Sequence, residues 1–366
     1  MTGPRLIGAL IAALVALTLA RPSAARVTSA PTPSVSLAGS TVAVIGDYGV
    51  DTTAEANVAS LVASWGPAAI VTVGDNYYTS GGSGTGKYDL VVGKYYCAYL
   101  KGAASGTNCA GGTADVNRFF PATGNHDYSD GLIANYTAYF ALPGTELVYS
   151  QVVGDVEFFF IDSEACLSSS TELDAEKSWL QSAMGSSSAA WQVVVFHHPP
   201  FNVGAEHYDV QHMRVLAPLF ERQGVDLVLS GHEHNYQRPR PLRFAPAGPG
   251  QSAVVGGKSR LVPGTFTVDR LFNGVTRTTP QGVLYIVTGA GGKHLYDPGY
   301  TDNPARWVHP EDNSVDYVVK MVTDRHSLTV IDVDGRRLTM TQVDETGEEF
   351  DRIAVTKPAG PAGTLG

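Results

Sequence analysis

The sequence predicts a mixed α/β fold in which parallel strands are supplemented by antiparallel ones. Three observations lead there. Several short apolar runs end in glycine and polar residues, the pattern of strands buried on both faces. Between them lie stretches whose apolar residues recur at helical spacing and stop at a glycine. Two further stretches read as strand pairs about a tight glycine-containing turn.

The runs Val42 to Ile45, Ile70 to Val73, Val193 to Phe196, Leu227 to Leu229 and Val283 to Val287 read as buried strands. Val58, Leu61, Val62 and Trp65, closed by Gly66, fall on one helical face, and so do Val210, Met213, Leu216 and Phe220, closed by Gly224. Thr171-Glu172-Leu173-Asp174 resembles a helix-capping start. Glu146 to Ile161 around Gly154-Asp155, and His326 to Thr341 around Asp334-Gly335, read as β-hairpins. Phe244 to Pro280 lacks clear periodicity and reads as an insertion or long loop, and no internal repeat is visible.

A chain of 366 residues suits either two average domains or one large α/β domain. With 43% hydrophobic and 16% charged residues it has ample material for a packed core. A formal charge of -10 opposes a basic surface that grips nucleic acid, so no nucleic-acid partner is expected. Small anionic substrates are compatible with that charge if metals supply positive charge locally.

Arg5 precedes an uncharged apolar run from Leu6 to Ala20, and Ser23-Ala24-Ala25 follows with small residues, so residues 1–25 read as a signal peptide cleaved near Ala25. The run is shorter than the roughly 20 residues of a membrane span. A secreted product with no membrane attachment after cleavage is therefore expected, the alternative being an uncleaved anchor. Residues 26–39, rich in Pro, Ser, Thr and Ala, read as a linker, 40–357 as the domain and 358–366 as a flexible tail. Export permits disulfides, and Cys97 and Cys109 bracket a Gly/Ser/Ala-rich stretch that a bond between them would close, leaving Cys166 as a buried small residue.

The chemistry lies in where the polar residues fall. Asp47, Asp75 and His197 stand at the C-terminal ends of apolar runs, and His232 and His234 follow another. Ligands of open α/β sheets bind at the carboxyl ends of strands. Singly, Gly46-Asp47-Tyr48-Gly49, Gly74-Asp75-Asn76-Tyr77-Tyr78 and Gly124-Asn125-His126-Asp127 read as readily as turns, and His197 or His198 as a hydrogen-bonded core histidine. Gly231-His232-Glu233-His234 is more specific, because imidazoles two residues apart can both face one cleft.

As an ordered set, Gly-Asp-x-Gly, Gly-Asp-x-x-Tyr, Gly-Asn-His-Asp, His-x-Pro and Gly-His-x-His resemble the calcineurin-like metallophosphoesterase superfamily, and within it the purple acid phosphatase family, from about Val42 to Val343. Most metallophosphoesterases begin with Asp-x-His; here Gly49 stands in the histidine's place, and Tyr78 matches the tyrosine by which purple acid phosphatases compensate. The resemblance implies that Asp47, Asp75, Tyr78 and His234 hold one metal and Asp75, Asn125, His197 and His232 a second, with Asp75 bridging. Phenolate and carboxylates suit Fe(III), and amide oxygen with imidazoles suits Fe(II), Zn(II) or Mn(II).

It further implies that His126 and His207 contact the substrate without binding metal and assist the leaving oxygen. Tyr48 is placed at the pocket, Tyr77 could replace Tyr78 only after a register slip, and His198, His212, His294, His309 and His326 take structural roles. The implied fold is a four-layer αββα sandwich, a metallophosphoesterase architecture with its dinuclear site at the C-terminal ends of the strands. The few residues ahead of Asp47 leave no room for the separate β-domain of the plant enzymes. The expected activity is hydrolysis of a small phosphomonoester by a metal-activated hydroxide. The alternatives are a phosphodiesterase or nucleotidase with the same site, or a non-catalytic binding module stabilised by metals.

Overall fold

The computed structural model describes residues 37–38, 40–78, 82–102, 106–247, 261–308 and 316–358. The segment read as a signal peptide, most of the linker, the tail after 358 and His309 lie outside the described residues. The strands in chain order are β1 (Thr41–Ile45), β2 (Ala69–Thr72), β3 (Phe119–Pro121), β4 (Tyr149–Val153), β5 (Val156–Phe160), β6 (Trp191–Val195), β7 (Leu227–Ser230) and β8 (Tyr236–Pro239). They continue as β9 (Leu242–Pro246), β10 (Gly264–Val268), β11 (Leu284–Thr288), β12 (Val318–Val322), β13 (Ser327–Asp334), β14 (Arg337–Asp344) and β15 (Glu349–Thr356).

Two mixed sheets result. One runs β15-β14-β13-β1-β2-β3, parallel from β1 to β3 and antiparallel beyond. The other runs β12-β8-β11-β7-β6-β5-β4, with β11, β7, β6 and β5 parallel and antiparallel strands on both flanks. The hairpins expected at Gly154 and Gly335 are the β4–β5 and β13–β14 pairs, and both glycines take a positive φ, 56° and 53°.

Why there are four layers follows from the strand period. Successive side chains of a strand face opposite ways. Val42 and Val44 meet Phe158, Phe160, Val193 and Val195 between the sheets, together with Ile331 and Ile353. Ala43 and Ile45 face outward onto Val58 and Val62 of the helix Thr53–Trp65 and a group of tyrosines. Phe159 and Val194 face the other way onto Leu180 and Met184 of the helix Ser170–Ser186. Each central strand is thus buried on both faces, which is why it reads as an unbroken apolar run.

The elements differ from the sequence reading in four places. The cap of Ser170–Ser186 is Ser169, two residues before Thr171: its backbone is extended, and its hydroxyl accepts the Glu172 N–H at 3.3 Å. The pattern from Val210 to Phe220 splits into a 3-10 turn, His212–Leu216, and a helix, Ala217–Gln223, with proline in the first turn, where its missing N–H costs nothing. The stretch after Phe244 contains β10, which pairs with β9 in a separate ribbon, with Phe244 and Phe266 packed on the outer core. Leu37, in the stretch read as linker, bridges to Val153 and is buried between the sheets. Cys97 and Cys109 are disulfide-bonded, and Cys166 is free and buried.

Phe160 has no exposed surface and stacks on Tyr149 at 4.3 Å between the sheets. Truncation of such a side chain typically costs about 3–5 kcal/mol. Phe160→Ala should lower the denaturant midpoint accordingly; a shift under about 1 kcal/mol would contradict the inter-sheet core.

Candidate metal centre

β1 and β2 deliver Asp47 and Asp75, and β6 and β7 deliver His197 and His232, each within three residues of a strand's C-terminal end. The chain turns sharply there. Asp47, Asp75 and His232 have φ of 55°, 53° and 69°, the left-handed region that side chains seldom adopt, and such outliers concentrate at functional sites. These turns aim all three side chains at one place.

The seven predicted donors form one connected cluster. The Tyr78 hydroxyl lies 2.7 Å from Asp75 Oδ2, 2.9 Å from Asp47 Oδ1 and 3.1 Å from His234 Nε2. His197 Nε2 lies 3.1 Å from Asn125 Oδ1, 3.1 Å from His232 Nδ1 and 3.3 Å from Asp75 Oδ2. Asp75 Oδ2 belongs to both groups. One ligand atom from each of Asp75, His197 and His232 falls within 4.8 Å of the other two, a spacing at which a single cation could be held.

The orientation of the imidazoles shows what the cluster suits. His197 Nδ1 faces Val73 O at 2.9 Å and His234 Nδ1 faces His294 O at 2.8 Å, so each carries its proton on that nitrogen and turns the Nε2 lone pair inward. His197 Nε2 thus meets an amide oxygen, a carboxylate oxygen and a second imidazole nitrogen. Around Tyr78 one phenolic proton faces three acceptors. Both groups hold more lone pairs than protons, a donor set of oxygen and imidazole that fits two cations sharing Asp75.

Without metal, protons take up part of this excess. Burial pushes the Asp47 carboxyl well up, aided by Asp75. Burial also works to raise Asp75, but the His197 imidazolium outweighs it and holds that carboxyl below the usual range. Burial would lower His197, yet Asp75 and Asp47 bring it up to about 10. Burial takes His234 down to about 3 and His232 well below its ordinary value.

His126 and His207 flank the cluster and are half-buried. His126 donates its backbone N–H to Asp75 Oδ1 at 2.8 Å, and its ring lies 4.3 Å from that of Tyr78. The ring of His207 stacks on His232 at 3.9 Å. Tyr77 packs on Tyr88, outside the cluster, so Tyr78 holds the register expected. Tyr48 does not line the pocket. It is buried, and its hydroxyl donates to Asn76 Oδ1, because the left-handed turn at Asp47 sends that carboxylate into the cluster and the next side chain into the outer core.

Gly49 explains the absent histidine. A Cβ there would lie 2.1 Å from Asn76 O, and the Gly49 carbonyl accepts the Tyr78 N–H at 2.7 Å. The backbone contact that admits Tyr78 therefore closes position 49 to any side chain.

The structure adds residues given no role from sequence. Asp127 accepts from Gly124 N, Asn76 N and Tyr88 Oη, tying the second and third motifs together. Glu233 accepts the His207 N–H at 2.9 Å, and Asp297 accepts the Ala205 N–H, so both carboxyls hold the His207 segment. Asp127 and Glu233 sit inside recognised motifs, where that position was the available signal. Lys293 and Tyr296, whose side chains lie against Tyr78 and His234, had no such signal.

A group raised in the folded state favours folding below its unfolded value and loses that contribution as pH rises through its folded value. Asp127 at about 7, Glu55 at about 8 and His197 at about 10, each shifted by burial or by neighbouring carboxylates, act in this sense. The depressed histidines His212, at about 4, and His234 act oppositely, but only below their ordinary 6.5. Metal-free protein should therefore lose melting temperature between pH 6.5 and 8. Added divalent cation, which competes with the proton of His197, should recover more at pH 8 than at pH 6.5. Equal recovery at both would show that cations do not displace it.

A family model described as calcineurin-like phosphoesterase matches residues 40–236. An uncharacterised protein of Mycobacterium tuberculosis is 27% identical over 230 residues, 54% of this chain and 43% of that protein. Purple acid phosphatase 17 of Arabidopsis thaliana is 27% identical over 166 residues, 38% of this chain and 49% of that protein. The matched segments span less than half of these relatives' length. Among solved structures, the purple acid phosphatase PPD1 of yellow lupin superposes with a TM-score of 0.61 at 13% identity, over 89% of this chain and 57% of that one. GAP50 of Plasmodium, described as the anchor in the inner membrane complex, superposes with a TM-score of 0.55 at 16% identity, over 87% of this chain and 89% of that one. Fold, motif order and the matched family model agree, and the chain belongs to the calcineurin-like phosphoesterase family.

Proposed function

We propose that this protein is a secreted, purple acid phosphatase-like enzyme that hydrolyses small phosphomonoesters at a dinuclear centre, with Fe(III) on the Tyr78 side and Fe(II), Zn(II) or Mn(II) on the other. The observation that carries this reading is the Tyr78 hydroxyl set among Asp47, Asp75 and His234, with Asp75 also facing His197. A fold neighbour described as an anchor shows that the architecture does not dictate catalysis. The intact donor set, with both flanking histidines in place, favours an enzyme over a binding module.

Asp47, Asp75, Tyr78 and His234 would hold one metal, and Asp75, Asn125, His197 and His232 the other. Bound there, the pair would supply positive charge to the phosphoryl oxygens and bring the pKa of water from 15.7 toward roughly 7. His126, fixed by its backbone bond to Asp75, and His207, stacked on His232, would orient the phosphate from two sides and give a proton to the departing oxygen.

Protein purified aerobically with iron should show a visible phenolate-to-iron absorption band that disappears in Tyr78→Phe; a band that survives the substitution removes the Fe(III) assignment. An aryl monoester should be cleaved faster than the matched diester, and the reverse order would favour the phosphodiesterase reading.

Burial, and then the charge of His197, lower His207 from its ordinary 6.5, so it carries the proton to be donated only in acid. The rate should fall as pH rises past that lowered value. In His207→Asn the alkaline limb should flatten, with kcat down on the order of 10²-fold, the low end for a general acid. An unchanged profile would remove His207 from the reaction.

A further inference from the structure

We propose that Lys293 is a substrate-recognition residue of this site, its ammonium taking the second negative charge of a phosphomonoester dianion. The proposal rests on the phosphoesterase reading and deepens it by naming what selects the monoester. The segment from Ala290 to Asp297 follows β11 and is stitched to the metal-bearing turns. Gly291 N–H donates to Gly46 O at 2.9 Å, Lys293 N–H donates to Asp47 O at 2.9 Å, and Tyr296 N–H donates to His234 O at 3.2 Å. The Lys293 carbonyl accepts from His326 Nε2 at 3.0 Å. A Cβ on Gly291 would lie 2.4 Å from Gly46 O, so the two backbones are in direct contact. The backbone from which the Lys293 stem rises is therefore held by the same turns that carry Asp47 and His234.

The ammonium at the end of that stem lies over the ring of Tyr78, 4.5 Å from its centroid. Tyr78 is half-buried and borders the opening of the cluster, as is His126 on the same ring. Lysines 94, 320 and 357 pair with carboxylates at 2.5 to 2.7 Å. Lys293 makes no such pair among the described residues; its partner is the aromatic face. A cation held beside a phosphate site with no carboxylate to neutralise it is free to take an anion, and lysine does so as a point charge. At pH 7, where binding and KM are to be compared, a phosphate monoester carries about −1.5 to −2 charges, whereas a diester carries one. One fixed cation beyond the two metals thus favours the monoester and its product.

The test compares the metal-loaded protein with Lys293→Met and Lys293→Arg. Titration calorimetry with inorganic phosphate should show about tenfold weaker binding in Lys293→Met and near-native binding in Lys293→Arg, at equal bound metal. The KM of an aryl monoester should rise by a similar factor with kcat little changed, while that of the matched diester stays close to native. Native phosphate affinity in Lys293→Met, or equal losses in Met and Arg variants, would overturn the proposal. Protein that binds phosphate through Lys293 but cleaves no monoester would sink the phosphatase reading and leave this recognition role standing.

Discussion

Asp75 faces two ways, and the structure around it is arranged to make that tolerable. One of its oxygens meets the Tyr78 hydroxyl and the His197 imidazole at once, in a site from which water is largely excluded. A buried carboxylate among other acceptors is costly unless positive charge is brought to it. In the bare protein His197 holds a proton against burial to supply that charge. The hydrogen bonds of the histidines to Val73 O and His294 O make the same lone pairs available to metals. Left-handed turns at Asp47, Asp75 and His232 then follow as the geometry that brings donors from four strands to one point.

That crowding also accounts for how this chain differs from the commoner first motif. The turn carrying Asp47 runs so close to the turn carrying Asp75 that no side chain fits at position 49. A histidine cannot serve there, and the hydroxyl of Tyr78, whose backbone N–H donates to the Gly49 carbonyl, meets Asp47 and Asp75 instead. The substitution of one donor for the other is thus a packing consequence as much as a choice of metal chemistry. The same close approach at Gly291 brings a third segment against the site, and with it the side chains of Lys293 and Tyr296.

The scaffold is shared with proteins of different descriptions, an anchor in one case and a purple acid phosphatase in another, so the sandwich supplies position and not activity. What the sandwich contributes is stiffness. Strands buried on both faces, with separate cores inside and outside, give the turns at their ends little freedom to spread when like charges are drawn together.

The central strands and both hairpins were legible in the sequence because each is a local signal, an apolar run with a polar residue at its end or an Asp-Gly or Gly-Asp turn between strands, whereas the set of seven donors came from the family resemblance of the ordered motifs. The β9–β10 ribbon was not, since its alternation is short and half of it faces solvent, and Ser169 was passed over because a cap is decided by one residue's backbone angle. Tyr48 was misplaced for the same reason; its direction depends on the turn, not on its neighbours in the chain. By itself the sequence determined which atoms could bind cations and in what order they occur, because donor chemistry belongs to residue type. Only the tertiary structure decided that position 49 is closed and that Lys293 lies over Tyr78, because distances between segments far apart in the chain are set by how the sheets pack.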